Sequence, residues 1–377
     1  MNRRRLLIGL LGLVVLIACS QGWRRWQLAH PDRSHTMTAL TQDMRTYCVG
    51  RLLIDLPQHT TSKSRSSGAR IGDLNLSVTT GVSREQFDQM VEKRWLEVQG
   101  LKGRGVRYLS IPAEHFEPIP GSAIFAYGFR KADGPDVNGV WGSNIFHDAE
   151  GYFWEHGTLF EIKQNLNGKD EIAKLLPRLR ARALDEIPSQ PGLCLNGAFI
   201  SGFYDMQERE NLLWAFKLPR NMGLVVKHNR VGRPQPSLLE RNSEAEQEMA
   251  AFIARVLSQP GVEAGREVYR AAARSVQGLD GEEYSMGGAE KKSANSFTTN
   301  IAAEWEFPGQ GLPIAVPNIS LSLGSTYRTS QRPASLGAFP NHEDAPNGPT
   351  EAEFFEVWDA VINSVRIRPN ALTPPPK

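Results

Sequence analysis

The densest set of side chains able to do chemistry is His147, Asp148, Glu150, Glu155 and His156. Imidazoles and carboxylates are zinc ligands and the usual proton carriers of active sites. The stretch from Phe146 to Gly157 reads as a hairpin, and its two sides would have to converge for these groups to share a site. Their spacing matches no metal motif, and polar hairpin turns commonly carry such residues. Glu282 with Glu283, and His342-Glu343-Asp344, read as exposed turn charges. Gly287 to Ser293 superficially resembles a phosphate loop but lacks the glycine before its lysine, so it reads as a charged turn between strands. There is no Gly-x-Ser-x-Gly elbow, no His-Glu-x-x-His and no Cys-x-x-Cys. No catalytic residue, metal site or cofactor is therefore assigned.

The three cysteines carry a different chemistry. Arg3, Arg4 and Arg5 precede an apolar run from Leu6 to Ala18, the layout of an export signal and short for a spanning helix. The run ends in Leu16-Ile17-Ala18-Cys19, which looks like a bacterial lipobox with Cys19 as the lipid attachment site. An uncleaved anchor and simple secretion are the alternatives. Arg24 and Arg25 just beyond the run disfavour an anchor whose N-terminus lies inside. All three readings place the body outside the cytoplasm, with the periplasm and an N-terminal membrane anchor as the expected location. With Cys19 lipidated, Cys48 and Cys194 are left as an even pair in an oxidising compartment. A bridge between them would close a loop of about 145 residues, worth about 4–5 kcal/mol in the chain-entropy model. Two buried free thiols are the alternative.

The elements that would position these residues fall into two similar halves. The 377 residues are 40% hydrophobic and 22% charged, enough for two globular domains. The net charge of +2 drops to about −1 once the leader arginines are removed, so nothing global points to nucleic acid. The expected organisation is a leader at 1–19, a polar tether at 20–45, an N-terminal domain at 46–188, a C-terminal domain at 189–368 and a disordered tail at 369–377. Tyr47 to Pro57 reads as a strand led by Cys48, and Leu193 to Ile200 as a second one led by Cys194. Thr61 to Arg70 and Tyr327 to Gly348 read as long loops. Ser83 with Gln86, Ser237 with Glu240, and Thr350 with Glu353 are capping boxes that start helices. Met249, Phe252, Ile253 and Val256 make the apolar face of the second of these. Lys169 to Leu184 reads as a helix that Pro177 kinks or breaks early. Each half runs from a cysteine-led strand through a helix and several strands to a terminal helix. The fold class expected is α+β: two similar domains, each a mainly antiparallel sheet with helices packed on one face.

Two stretches carry a resemblance. Tyr47-Cys48-Val49-Gly50-Arg51-Leu52-Leu53-Ile54-Asp55-Leu56-Pro57, followed by Gly192-Leu193-Cys194-Leu195-Asn196-Gly197-Ala198-Phe199-Ile200, resembles the type VI secretion lipase-immunity family, the Tle cognate immunity proteins of class four. That resemblance implies a periplasmic non-enzyme that binds a phospholipase effector. Its two domains would clamp the effector and block substrate access. It places no contact residue here. An envelope lipoprotein that supports assembly of a surface complex is the alternative, and an enzyme using the His147–His156 stretch is the third reading.

Overall fold

The computed structural model describes residues 39–372, apart from 64–66, 102–107, 136–138, 165, 206–207, 230–234, 258–262, 294–295, 311–315 and 331–347. The leader, Cys19, most of the tether, His342-Glu343-Asp344 and most of the 327–348 loop lie outside the described residues.

The Tyr47–Pro57 stretch is a hairpin rather than one strand: β1 (Met44–Val49) turns through Gly50 and Arg51 into β2 (Leu52–Pro57). Gly50 has φ +62°, and a Cβ there would meet the His228 ring at 2.9 Å, so a glycine is required. Composition read 61–70 as loop, but its ends form β3 (Thr61–Ser62) and β4 (Gly68–Ile71). There follow β5 (Leu74–Thr80), α1 (Arg84–Gly100), β6 (Glu114–Phe116), β7 (Ser122–Pro135), β8 (Trp141–Glu155), β9 (Thr158–Gln164) and α2 (Lys169–Leu175). Ser83 and Gln86 close the expected capping box on α1. α2 ends early, in a 3-10 turn around Pro177, and the chain continues as β10 (Leu179–Ala181) where helix was expected.

The second half opens on another hairpin, β11 (Gly192–Leu195) and β12 (Ala198–Ser201), joined by Asn196-Gly197. Asn-Gly is the strongest two-residue hairpin signal, and it divides the strand expected at 193–200. Then come β13 (Glu210–Leu218), β14 (Met222–Asn229), α3 (Leu238–Leu257), β15 (Ala264–Val276), β16 (Leu279–Ser293), β17 (Ser296–Phe307), β18 (Asn318–Thr329), α4 (Glu351–Ser364) and β19 (Arg366–Ile367). Ser237 with Glu240, and Thr350 with Glu353, cap α3 and α4 as expected. The side chains of Met249, Phe252, Ile253 and Val256 lie outside the described residues.

The halves are α+β, mainly antiparallel and alike. Their main strands join in one sheet of order β15-β16-β17-β18-β14-β13-β4-β5-β9-β8-β7-β6. Read outward from the central β13–β4 pair, both arms follow the same plan. Each half places a helix on either face of its arm. In the first, Phe87 and Val98 of α1 meet Ala123, Phe125 and Tyr152, while Ile172 of α2 packs on the other face over Gly151. In the second, Glu246 of α3 accepts from the Tyr284 hydroxyl, and Asp359 of α4 binds Arg270 and Arg274 on the opposite face.

The hairpins are exchanged between halves. β19, from the end of the chain, pairs with β2, and β10, from the end of the first half, pairs with β12. α4 packs on β2, with the Asp55 N–H donating to Ser364 Oγ at 2.8 Å and Arg366 pairing with Asp55 at 3.2 Å. Tyr47 of β1 lies edge-on to Phe216 of the second half. Gly197 abuts Thr80 of the first half, and its carbonyl accepts from Thr158 Oγ1. The two hairpins also hold each other. Gly50 and Cys194 exchange both backbone hydrogen bonds, at 2.9 and 2.7 Å, and Cys48 and Cys194 form a disulfide across a separation of 146 residues.

Closing that loop removes chain entropy from the unfolded state. Cys48→Ala with Cys194→Ala is expected to lower unfolding stability by about 4–5 kcal/mol, less whatever strain is relieved. Denaturant titration checks this; a loss within about 0.5 kcal/mol, the size of an ordinary surface substitution, would contradict it.

Candidate protein-interaction surface

The residues singled out for acid–base or metal chemistry do not converge. His147, Asp148, Glu150 and Glu155 all lie on the single strand β8, and the turn is confined to His156 and Gly157. Alternation along a strand sends His147 and Glu155 to one face and Asp148 and Glu150 to the other. Each carboxylate has a partner: Asp148 pairs with Arg130 at 3.0 Å, buried Glu150 with Arg94 at 2.7 Å, and Glu155 accepts from the Ala181 N–H at 2.6 Å. The bonds to Glu150 raise the already basic Arg94 guanidinium further. Among the described residues, no group of three His, Cys, Asp or Glu side chains is placed to hold a metal.

The expected turn charges at 282–283 belong instead to β16, and Glu283 is fully buried. Its Oε1 accepts from Trp358 Nε1 at 2.6 Å and lies 3.2 and 3.1 Å from Arg270 and Arg274, which also bind Asp359. Two arginines and two carboxylates thus neutralise one another beneath α4, a compensated network in which no single charge is spare. Gly287 to Ser293, expected as a turn, continues the same strand. Gly287 and Gly288 lie there against Tyr269 and the Gly265 carbonyl.

Sequence reasoning missed the seam between the halves. Arg51, at the tip of the first hairpin, donates to both oxygens of Glu210 and to the carbonyls of Gly202 and Ala371. Burial alone would raise the Glu210 carboxyl, but its bonds to Arg51 and His228 outweigh that and bring it down to about 2. Arg182 and Arg368 are held by carbonyl oxygens: Arg182 by those of Ala198, Glu186, Leu195 and Cys48 among others, Arg368 by those of Pro188, Gln190 and Gly192. Burial pushes both guanidinium groups down to about 10. The same contacts order the chain end, where Ala371 and Leu372 are buried although composition suggested a tail. Nothing in the local pattern marks Arg182 and Arg368 as buried, because the carbonyls of Cys48 for Arg182 and of Pro188, Gln190 and Gly192 for Arg368 lie more than a hundred residues away.

The surface of the two halves differs more than their fold. In the second half β15 and β18 flank the β16–β17 hairpin along most of its length. In the first half β6 is three residues long and β9 pairs with β8 only from Ala149 onward. The outer part of β7–β8, from the Arg130–Phe146 pair to the Pro135–Trp141 pair, therefore projects as a two-stranded ribbon that, among the described residues, no further strand flanks beyond the Tyr108–Arg130 bridge. Trp141 on it is 74% exposed, and Val140 and Ile145 are more than half exposed. Leu96, Leu101, Tyr108, Ile111 and Phe116 add exposed apolar surface to the same half. Exposed apolar groups close together, as Val140, Trp141 and Ile145 are on the ribbon, mark a contact surface more often than a free one.

Family models match both halves: the Tle cognate immunity protein 4 N-terminal domain over residues 45–117 and its C-terminal domain over 186–370, together more than half of the chain. This chain belongs to the Tle cognate immunity protein 4 family. Solved structures agree on the fold. The chain is similar to a chain in the crystal structure of a Tle4–Tli4 complex, with a TM-score of 0.63 and 20% identity over 88% of this chain and 99% of that one. The apo immunity protein TplEi of the type VI secretion system from Pseudomonas aeruginosa matches at 0.60 and 20%, over 89% and 100%. TplEi complexed with an "L" peptide matches at 0.59 and 22%, over 87% and 99%. No curated protein matches at a significant level. The two stretches that carry the resemblance are the two exchanged hairpins. In this member of the family they form the seam.

The seam gives a pH-dependent prediction. A carboxyl depressed from 4.5 to about 2 contributes stability that is complete above its unfolded pKa and is lost as pH falls from about 4.5 to about 2. Glu210→Gln leaves Arg51 buried beside a neutral group and is expected to cost about 3–5 kcal/mol at pH 7. The gap from wild type should narrow as pH falls through that window in denaturant titrations; a gap that stays constant would contradict the assignment.

Proposed function

We propose that this chain is a periplasmic immunity protein that binds a type VI secretion lipase effector and blocks its access to substrate, without chemistry of its own. Membership of the family over both halves carries this reading. The structure of a Tle4–Tli4 complex supports it, because there a relative of the same fold is seated with its partner. The paired carboxylates of β8 and the braced seam support it from the other side. They equip the chain as a stiff frame that presents a surface, and a pre-organised surface is what tight inhibition needs. The apolar end of the first half is the surface proposed to meet the effector, with the second half engaging it elsewhere to complete the clamp. Lipidation at Cys19, followed by a polar tether, would station the inhibitor beside the membrane that a lipase attacks. Among the described residues no helix is long and apolar enough to cross a membrane. We take 46–188 and 189–368 as the working domain division, with the hairpins crossing between them.

The test is rescue. Cells that export the type VI lipase effector of the strain carrying this chain into their periplasm should lyse, and co-expression of the full chain should restore growth. Lysis that persists despite folded, exported chain would overturn the proposal.

A further inference from the structure

The projecting β7–β8 ribbon has two outer edges, and among the described residues only the β7 edge is closed. Along β7, Tyr108 bridges Arg130, and the Leu109 N–H donates to the Phe129 carbonyl at 2.8 Å. With Phe129 turned outward, alternation turns Lys131, Asp133 and Pro135 outward as well. Pro135 has no N–H to offer, and proline is a residue that natural edge strands use to refuse pairing.

Along β8 the geometry is the reverse. The His147 N–H donates to Asn167 Oδ1 at 3.1 Å, and its carbonyl accepts from the Asn167 N–H at 2.9 Å. Asn167 thus occupies the place of a residue on a neighbouring strand, and it shows that His147 turns its backbone away from β7. The even-numbered Trp154 turns the other way, with its N–H donating to the Gly121 carbonyl just ahead of β7. The register shift between Tyr127 and Arg130 adds its extra residue on β7, so β8 keeps a regular alternation. Ile145, Ser143 and Trp141 therefore point N–H and C=O outward, and no strand of the described residues lies beside them.

We propose that this edge, Trp141 to Ile145, receives an extended strand of the lipase effector, which adds to the ribbon by backbone pairing. This rests on the immunity reading. The chemistry of the edge selects the occupant. Three residues with outward N–H and C=O in strand register are complemented by another strand, whereas a lipid surface has no such ladder to offer and would leave them unsatisfied. Trp141 and Ile145 project from the same face of β8 and would flank the incoming strand, so its side chains on that face are apolar. Because the β7 edge is blunted, one strand is added rather than a stack.

The decisive variant is Ser143→Pro in the full mature chain. It deletes one outward N–H and leaves the β7–β8 ladder intact, as proline at an edge position does. Ser143→Ala keeps the N–H. Both are assayed by calorimetry against the type VI lipase effector of the strain carrying this chain, with circular dichroism confirming the fold. Binding at least tenfold weaker for Ser143→Pro and within twofold of wild type for Ser143→Ala is expected. The amides of Trp141, Ser143 and Ile145 should exchange rapidly in the free chain and slowly in the complex. Wild-type affinity for Ser143→Pro, with those amides still exchanging rapidly in the complex, overturns the edge while the immunity reading stands. No binding by wild type removes both. A wild-type dimer that Ser143→Pro makes monomeric would assign the edge to a second copy and overturn the proposal. So would binding to phosphatidylglycerol vesicles that Trp141→Ala abolishes and Ser143→Pro does not.

Discussion

The rest of the structure depends on the contact between the two exchanged hairpins. Gly50 and Cys194 pair backbone to backbone, the disulfide lies beside them, and Arg51, Arg182 and Arg368 fill the space around them with hydrogen bonds. Each hairpin comes from one half of the chain, is completed by a strand from the end of the other, and packs with that other half. Neither half can leave without unpairing β2 from β19 or β12 from β10. The seam is therefore a constraint on the whole molecule, added to the pairing of β13 with β3 and β4 that also joins the halves.

Such a frame holds its surfaces in a fixed arrangement. Its buried charges are compensated, as in the Arg270–Arg274–Glu283–Asp359 group, or caged by carbonyls, as at Arg182 and Arg368. The surface carries exposed apolar area beside paired charges, and the two halves use their common plan differently. The second half flanks its long hairpin with full-length neighbours. The first shortens the neighbours and leaves a ribbon tipped with Trp141.

Much of this was legible in the sequence. Capping boxes at Ser83, Ser237 and Thr350 marked helix starts, because a cap is a local bargain between a side chain and backbone three residues on. The repeat was legible because both halves keep the same order of periodic segments. Asn196-Gly197 was readable as a turn and would have divided the second cysteine-led strand; Gly50-Arg51 carries a weaker form of the same signal. The failures share one cause. Glu283 sits among charges and reads as exposed, and nothing local singles out Arg51, Arg182 and Arg368, because partners that bury them lie far along the chain. Strand exchange is likewise invisible to any local pattern, and so is the edge at Ser143, which is open among the described residues because β9 pairs with β8 only from Ala149 onward.

The central claim is that this chain silences a lipase by occupying it. The most direct measurement is a titration of the same strain's type VI lipase effector, assayed on phospholipid vesicles, with the purified mature chain. The account predicts that activity falls linearly and reaches zero at one equivalent. Activity unchanged at a large excess of folded, disulfide-bonded chain would contradict it.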